Sequence, residues 1–470
     1  MIGKDVAQRF IAIVGKENYD DSQVGRASYS YDSTPVKQAM PDAIISPRNT
    51  KEVSEIVKIC NELSVPIYSR GTGTNLSGGC TPTQGGIVML FKHMNKIKEL
   101  DLENLTITVE PGVITMDIIK AVEAEGLFYP PDPGTVKIST IVGNIAENAG
   151  GLRGLKYGVT RDYVIGLEVV LANGDIIKTG GKLAKDVAGY DFTRLMVGSE
   201  GTLGIITEAI LKLVPKPETK KTALALYQDV ESAAKTVSKI IAAKIIPTTL
   251  EFMDKATIEV VEAATKIGLP TDVEAVLLIE QDGPAEIVAR DMEKIAAICK
   301  SENATSIQVA KDNAEADQLA TARRTALSAL ARLKPTTILE DATVPRSEVA
   351  NLVKAINEIA KKYNVQICTF GHAGDGNLHP TCPTDSRNKE EMHRVEQAFA
   401  EIFEAAVKLG GTISGEHGIG TEKAPYLELK LGKEGVAAMK SVKDALDPNN
   451  IFNPGKVFLE NNRNRVVISR

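Results

Sequence analysis

The chain has 470 residues, of which 43% are hydrophobic and 25% are charged. This composition is typical of a globular protein of roughly two to four domains and excludes a disordered or fibrous chain. The net charge is −6, because 61 acidic side chains outnumber 55 Lys and Arg. Such a chain has no excess of cations to displace the counterions of a nucleic acid, so no nucleic-acid partner is expected.

The sequence also indicates where the protein works. No apolar run reaches the ~18 residues that a transmembrane helix needs, so no membrane anchor is expected. Residues Met1–Phe10 lack the apolar stretch and cleavage site of a secretory signal. None of the five cysteines has C-x-x-C spacing, which disfavours a zinc knuckle or an iron–sulfur cluster and suits a reducing compartment. A cytoplasmic location is therefore predicted.

The first elements along the chain are a helix and a strand that precede a glycine-rich loop. Asn49 followed by Glu52 predicts the start of a helix, since the two side chains can cap each other's backbone. Val65–Ser69 predicts a strand, and Arg70–Gly79 predicts a loop because it contains four glycines.

A β-hairpin and a domain boundary follow. Val164–Leu171 and Asp175–Thr179 predict two strands, and the pair Asn173-Gly174 between them favours a type I′ turn. Gly204–Val214 predicts another strand, which stops at Pro215-Lys216-Pro217. Two prolines around a lysine form a stiff connector, so a domain boundary is expected there.

Longer helices interleaved with strands dominate the second half of the chain. This alternation indicates an α+β domain with a mostly antiparallel sheet. The predicted strands are Ala275–Glu280, Thr336–Asp341 and Val365–Phe370. The predicted helices are Glu286–Lys300, Ala314–Leu333 and Lys389–Leu409.

Glycine-rich strings recur in four separate loops: R-G-T-G-T-N-L-S-G-G, P-D-P-G, N-A-G-G and G-S-E-G-T-L-G. Such loops let backbone N–H groups approach a phosphate. None of them is G-x-G-x-x-G or a P-loop, so neither a Rossmann NAD site nor a P-loop is indicated. The alternative is a domain with many tight turns, but four loops together favour one extended ligand that lies along the backbone.

Three of the five histidines lie in two glycine-flanked strings, G-H-A-G-D-G-N-L-H and G-E-H-G-I-G. A glycine-rich turn separates His372 from His379, so a bend can bring both rings to one side. Two neutral imidazoles and a carboxylate, here Glu416, suit a divalent transition metal. The alternative is that these histidines are structural, which is the interpretation we prefer for His93 and His393.

The order of these motifs resembles the FAD-linked oxidases and dehydrogenases of the vanillyl-alcohol-oxidase type. Within them it is most similar to the branch that contains glycolate oxidase, D-lactate dehydrogenase and D-2-hydroxyglutarate dehydrogenase. The resemblance extends over Asp42–Phe458 and implies an α+β protein, with a two-subdomain FAD-binding fold and a C-terminal α+β substrate domain that has an antiparallel sheet. It implies an FAD-binding domain at residues 1–217, a substrate domain with the metal-ligand histidines at 218–414, a segment at 415–458 that returns to the FAD domain, and a tail at 459–470.

The resemblance also implies which residues contact FAD. They are Arg70, Gly71, Thr72, Gly73, Thr74, Asn75, Ser77, Pro131, Asp132, Ser139, Thr140, Gly143, Asn144, Gly150, Gly201, Ile206 and Asn453. Some members of the family attach FAD to a histidine in the first loop. This chain has no histidine there, so FAD is expected to be bound non-covalently.

In the metal-dependent branch of this family, two histidines and a glutamate bind the metal and the adjacent histidine is the general base. By motif, the metal ligands are His372, His379 and Glu416, and the base is His417. The resemblance leaves the metal open among zinc, iron and manganese. Two more residues complete the implied site. Arg323 matches the arginine that binds the substrate carboxylate, and Asn377 is placed to contact the substrate.

The resemblance therefore predicts the oxidation of a small D-2-hydroxy acid, with hydride transfer to flavin N5. Leu339 stands where relatives that act on larger dicarboxylates carry a cation, which favours a small monocarboxylate such as lactate or glycolate over 2-hydroxyglutarate. D-lactate, oxidised to pyruvate, is the substrate we predict. The alternatives are a glycolate oxidase catalytic subunit, a D-2-hydroxyglutarate dehydrogenase and a non-catalytic electron-transfer subunit. The expected acceptor is an electron-transfer flavoprotein heterodimer or another redox subunit. The polar tail at 459–470 either docks that partner or is simply an unstructured end.

Overall fold

The computed structural model describes residues 2–34 and 37–458. The chain divides into two compact units. The first unit contains Met1–Ala149, Val159–Lys216 and Glu416–Arg470, and the second contains Gly150–Gly158 and Pro217–Gly415. The tail predicted at 459–470 lies outside the described residues.

The described residues form fifteen α-helices and nineteen strands. The helices are α1 Lys4–Val14, α2 Gln23–Ser28, α3 Thr50–Leu63, α4 Thr115–Glu123, α5 Ile141–Glu147, α6 Gly154–Tyr157, α7 Phe192–Met196, α8 Val230–Ala242, α9 Lys255–Thr265, α10 Ala285–Ser301, α11 Asn313–Arg324, α12 Ala326–Leu330, α13 Val349–Tyr363, α14 Lys389–Lys408 and α15 Leu427–Leu446. The strands are β1 Tyr19–Asp20, β2 Ala43–Ile45, β3 Ile67–Arg70, β4 Ile87–Leu90, β5 Ile97–Asp101, β6 Thr106–Val109, β7 Leu127–Phe128, β8 Val164–Val170, β9 Ile176–Gly180, β10 Ile205–Lys212, β11 Val214–Pro215, β12 Thr219–Tyr227, β13 Thr249–Asp254, β14 Ala275–Gly283, β15 Ser306–Val309, β16 Thr336–Leu339, β17 Ala342–Thr343, β18 Cys368–His372 and β19 Asn377–Thr384.

The first unit contains two main sheets. One has the strand order β1-β2-β4-β3, in which β2, β4 and β3 run parallel. The other is antiparallel, with the order β5-β6-β10-β8-β9. Helix α3 begins where the sequence predicts, because the Asn49 side chain accepts a hydrogen bond from the backbone N–H of Glu52 at 3.0 Å.

The predicted hairpin is present as β8 and β9, but its turn is not of type I′. Among the loop residues only Gly174 has a positive φ, of 84°, whereas a type I′ turn needs two. The N–H of Gly174 bonds to Leu171 O at 2.8 Å, and Asn173 Oδ1 accepts the N–H of Asp175 at 2.9 Å. The side-chain bond of Asn173 holds a three-residue loop, and the left-handed glycine closes it.

The C-terminal segment of the first unit returns to strand β3. Phe452 forms a parallel bridge with Ile67, and the N–H of Asn453 donates to Ile67 O at 2.8 Å. This pairing places the string N-P-G-K beside the strand that leads into the first glycine-rich loop.

The second unit is built on one antiparallel sheet with the order β15-β12-β14-β13-β18-β19-β16, and β17 also pairs with β19. Helices α9 and α12 cover part of one face, where Ile258, Val261 and Leu330 are buried against Leu278 and Phe370. The α+β class that the sequence predicts is therefore confirmed.

The single helix predicted for Ala314–Leu333 is wrong, because α11 ends at Arg324 and α12 begins at Ala326. Thr325 lies between them with φ −85° and ψ −4°, and its Oγ1 donates to Ala322 O at 2.9 Å. A threonine that bonds back to its own turn competes with the helical ladder. The interruption leaves Arg323 in the last turn of α11.

Candidate active site

The first glycine-rich loop follows β3 and closes tightly on the start of helix α5. Gly73 and Gly78 have backbone φ angles of 73° and 72°, which residues other than glycine rarely adopt. A Cβ at Gly71 would overlap Thr140 Oγ1. The loop thus needs its glycines for backbone conformation and for the close approach of its neighbour.

Several buried hydroxyl groups near this loop are not satisfied by the protein. Ser77 Oγ, Ser139 Oγ and Thr140 Oγ1 are buried and have no hydrogen-bond partner among the described residues. An unsatisfied buried polar group costs about 1–3 kcal/mol, so a native protein rarely keeps three of them without a ligand. Each hydroxyl is a donor of the kind that a phosphate-bearing cofactor accepts.

Asn453 connects two of the predicted cofactor loops. Its Nδ2 donates to Gly79 O at 2.8 Å and to Glu200 O at 2.6 Å, while its Oδ1 is buried with no partner among the described residues. Gly201, which follows Glu200, has φ 67°. The amide thus holds both loops and leaves one acceptor for a bound group.

Two predicted cofactor residues also support the first loop. Arg70 Nη1 donates to Tyr31 O at 2.6 Å, and Asn75 Nδ2 donates to Asp32 Oδ2 at 2.9 Å. Asp32 is 7% exposed and was missed by sequence reasoning, because it lies in a polar segment far upstream of the loop.

The remaining predicted cofactor residues fall into both units. Asn144 Nδ2 donates to Thr115 Oγ1 at 2.6 Å, and Thr115 Oγ1 in turn donates to Ser139 O at 3.2 Å, which fixes the start of α5. The other predicted contacts in the first unit are Thr72, Thr74, Pro131, Asp132, Gly143 and Ile206. Gly150 belongs to the second unit, and its contact with FAD stays a prediction.

In the second unit, the two predicted ligand histidines lie on one hairpin. His372 ends β18 and pairs with Asn377, the first residue of β19, while His379 pairs with Phe370. Their ring centroids are 5.0 Å apart and nearly perpendicular, and both residues are buried. The proximity that the glycine-rich turn predicts is therefore present, whereas metal binding stays a prediction.

Glu251 on β13 connects His372 with Arg323. Its Oε1 lies 2.7 Å from His372 Nδ1, and its Oε2 lies 2.8 Å from Arg323 Nη2. Burial opposes ionisation of Glu251, but the charges of His372 and Arg323 outweigh it and lower the pKa of the carboxyl. Arg323 also stacks over the Phe370 ring at 4.7 Å. The carboxylate thus orients the histidine and the arginine together.

Sequence reasoning missed Glu251, although a signal was present. The string T-L-E-F-M puts one carboxylate within an apolar run, and a carboxylate buried on a strand needs partners. Neither partner is near it in sequence, since His372 is 121 positions away.

The segment that leads to the predicted third ligand is anchored in the second unit. The N–H of Gly415 donates to Asp341 Oδ2 at 2.6 Å, and Ser414 Oγ donates to Asp341 Oδ1 at 3.1 Å. A Cβ at Gly415 would lie 2.7 Å from Asn377 Cγ, so only glycine fits there. Glu416 and His417 follow directly in the chain and begin the last segment of the first unit.

Comparison with known proteins defines the family. The family described as "FAD linked oxidases, C-terminal domain" matches residues 216–457, and the "FAD binding domain" family matches residues 41–180. The first match covers half of the chain. The chain belongs to the FAD-linked oxidases. FAD is accordingly its cofactor, in agreement with the buried hydroxyls and glycine loops of the first unit.

Relatives of known name place the chain within that family. It is 71% identical over 470 residues to the glycolate oxidase subunit GlcD of Bacillus subtilis, with 100% of both chains covered. It is 38% identical over 439 residues to the D-lactate dehydrogenase of Archaeoglobus fulgidus, with 92% of this chain and 95% of that one covered. These matches confirm the predicted 2-hydroxy-acid dehydrogenase branch.

The fold is shared with more distant solved structures. p-Cresol methylhydroxylase superposes with a TM-score of 0.82 at 19% identity, covering 98% of this chain and 97% of the other. This likeness confirms the vanillyl-alcohol-oxidase type of fold that the sequence predicts. In the part of the chain that the structure describes, no helix is long and apolar enough to cross a membrane.

The close packing of the first loop gives a testable prediction. Gly71→Ala is expected to weaken FAD binding about tenfold, because overpacking against Thr140 costs ~1–3 kcal/mol and 1.4 kcal/mol is a factor of ten. Gly3→Ala is the control, since Gly3 is exposed, lies outside the glycine-rich loops, and a Cβ there meets no atom within 4 Å. The measurement is the dissociation constant of FAD from fluorescence titration of stripped protein. Equal affinity in the two variants would contradict the prediction.

Proposed function

We propose that this FAD-dependent oxidoreductase oxidises a small 2-hydroxy acid with the help of a metal bound by His372, His379 and Glu416. One observation carries the proposal: Glu251 holds a buried arginine and a buried histidine side by side. This arrangement suits a substrate that has a carboxylate next to a hydroxyl group.

Arg323 is proposed to bind the substrate carboxylate. Its Nη2 is held by Glu251, and its Nε is buried with no hydrogen-bond partner among the described residues. A guanidinium fixed in this way can donate to a carboxylate with little loss of side-chain entropy. Asn377 Oδ1 is likewise buried and unsatisfied within the described chain, which supports a role in contacting the substrate.

His372, His379 and Glu416 are proposed to hold a divalent transition metal, zinc, iron or manganese. The donor set of two imidazoles and a carboxylate suits such an ion and leaves coordination positions open. Glu251 accepts from His372 Nδ1, which directs Nε2 away from it, as outer carboxylates do for ligand histidines. When bound, the metal lowers the pKa of a coordinated hydroxyl group.

His417 is proposed to accept the hydroxyl proton of the substrate. A neutral imidazole nitrogen can accept a proton as a general base, and His417 follows the proposed ligand Glu416 directly in the chain. FAD, when bound, accepts the hydride from the substrate carbon. The glycine-rich loops of the first unit and their unsatisfied hydroxyls are proposed to hold its pyrophosphate non-covalently.

D-lactate and glycolate are the two candidate substrates. Leu339 packs against the apolar cluster that includes Phe370, so this position offers no cation for a second carboxylate, which supports a small monocarboxylate over 2-hydroxyglutarate. The sequence favoured D-lactate. The relative named glycolate oxidase subunit, at 71% identity, favours glycolate as the second candidate.

One spectroscopic experiment tests the function and separates the candidates. Purified protein is mixed anaerobically with D-lactate, L-lactate, glycolate or D-2-hydroxyglutarate, and the visible flavin spectrum is followed. Rapid bleaching by D-lactate or glycolate is expected. A flavin that no 2-hydroxy acid reduces would instead point to an electron-transfer subunit.

Glu251 offers a test of the proposed metal site. Glu251→Gln is expected to weaken metal binding about 10–100-fold, the usual cost of removing an outer carboxylate from a ligand histidine. Glu259→Gln is the control, because Glu259 is an exposed residue on α9. Metal content is measured by elemental analysis after dialysis against graded chelator. Equal retention by both variants would contradict the assignment.

A protein acceptor is proposed for the electrons, and an electron-transfer flavoprotein heterodimer is the first candidate. Three relatives are named as a glycolate oxidase subunit, which supports a protein partner. Co-purification from the native host, followed by substrate-dependent reduction of the isolated partner, is the expected result. The tail proposed as a docking element lies outside the described residues. Rapid reduction of NAD by this chain alone would contradict the transfer of electrons to a protein acceptor.

A further inference from the structure

The carboxylate of Glu200 bonds to the segment that carries the proposed base. Its Oε1 accepts the N–H of Ile419 at 2.7 Å, and its Oε2 accepts the N–H of Gly420 at 2.6 Å. Glu200 is 6% exposed. Both oxygens are thus used to hold two successive backbone groups, only two and three residues after His417.

The same segment is also bonded to the first glycine-rich loop. The N–H of Thr421 donates to Ser77 O at 2.9 Å. A Cβ at Gly420 would overlap this same carbonyl, and Gly420 has φ 50°. The segment is therefore in contact with two separate loops that the family uses for FAD, one containing Ser77 and one containing Glu200.

A second carboxylate lies beside the first. Glu147 Oε2 is buried with no hydrogen-bond partner among the described residues, and a Cβ at Gly418 would overlap it. Burial and the nearby charge of Glu200 raise the pKa of Glu147 well above its usual range. Burial also raises the pKa of Glu200, while the N–H donors of Ile419 and Gly420 and the charge of Lys423 act to lower it.

We infer that Glu200 is a positioning residue that makes the placement of His417 depend on whether FAD is bound. The two cofactor loops contain glycines and Glu200 itself in left-handed conformations, which are costly to order without a ligand. FAD supplies the contacts that order them, and the bonds from Glu200 and Ser77 transmit that order to residues 416–421. This inference deepens the proposed function, since it rests on His417 as the base.

Hydrogen exchange of the segment tests the inference without relying on activity. In wild-type protein, amides 419–421 are expected to exchange at least about tenfold more slowly with FAD than after the FAD has been stripped. In FAD-loaded Glu200→Gln, which replaces one acceptor oxygen by a donor, we expect this protection to be lost. Glu208→Gln is the matched control, because that side chain pairs with Lys98 at the surface.

The kinetic constants kcat and KM give a second test, which separates a positioning role of Glu200 from a purely structural one. Glu200→Gln is expected to lower kcat about tenfold or more while KM changes little, since the substrate-binding arginine is untouched. Glu200→Asp keeps both acceptor oxygens and is expected to retain part of the protection. Wild-type-like protection in Glu200→Gln would overturn the role of Glu200.

The outcomes also separate this inference from the proposed function. If amides 419–421 of the wild-type protein exchange equally fast with and without FAD, the segment is not ordered by FAD and the inference fails. This result would be decisive even if every Glu200 variant failed to fold. If the coupling holds but His417→Asn keeps full activity, the segment is ordered by FAD for a reason other than proton transfer, and the inference about the base fails. If the coupling is absent but His417→Asn is inactive, the proposed base stands alone.

Discussion

Replacing His417 by asparagine is expected to slow the reduction of FAD by substrate at least about 10²-fold, the low end of what a general base contributes. Asparagine keeps a polar side chain but cannot accept the hydroxyl proton. FAD and metal should remain bound, because neither is assigned to this side chain. The measurement is the rate of anaerobic flavin bleaching in a stopped-flow instrument.

His93→Asn is a suitable control for the loss of an imidazole. His93 Nε2 lies 2.8 Å from Asn18 Oδ1, which gives it a structural partner. We expect that variant to reduce FAD at the wild-type rate. If His417→Asn does the same, another group accepts the proton.

Removing a proposed metal ligand is expected to abolish activity while the protein stays folded and yellow. His372→Ala and His379→Ala change the second unit, whereas the glycine loops and unsatisfied hydroxyls that fit FAD belong to the first. Loss of one of three ligands should reduce both metal content and turnover by about 10² or more. Glu416→Ala is expected to behave in the same way.

Elemental analysis, the visible spectrum and turnover are measured together for these variants. His393→Ala is the matched control, because that histidine is exposed on α14. Metal-free protein should regain activity when zinc, iron or manganese is added, which also identifies the metal. Full turnover of rigorously metal-free protein would refute the assignment.

Local patterns in the sequence predicted the elements that local interactions build. Asn49 and Glu52 lie three residues apart, so the cap of α3 could be recognised directly from the sequence. The glycine-rich loops could be recognised in the same way, because their backbone conformation requires a residue type and not a distant partner. The hairpin at 164–180 was predicted in its strands but not in its turn, where the bond from Asn173 Oδ1 to its neighbour selected a three-residue loop.

The break at Thr325 and the contacts of Glu251 were missed by sequence analysis. The hydrophobic residues of 314–333 recur at helical spacing throughout, but the hydrogen bond from Thr325 Oγ1 to Ala322 O accompanies the end of α11. Glu251 meets His372 because β13 lies next to β18 in the sheet, an order that is not the order of the chain.

The sequence by itself determined the family and predicted the cofactor loops and the candidate ligands, because each depends on which residues occupy one short string. Only the tertiary structure decided how those strings are connected. Glu200 and Ile419 are 219 positions apart, and their hydrogen bond exists because the last segment of the chain returns to the first unit beside β3. A buried carboxylate needs donors, and the fold supplies them from distant parts of the chain.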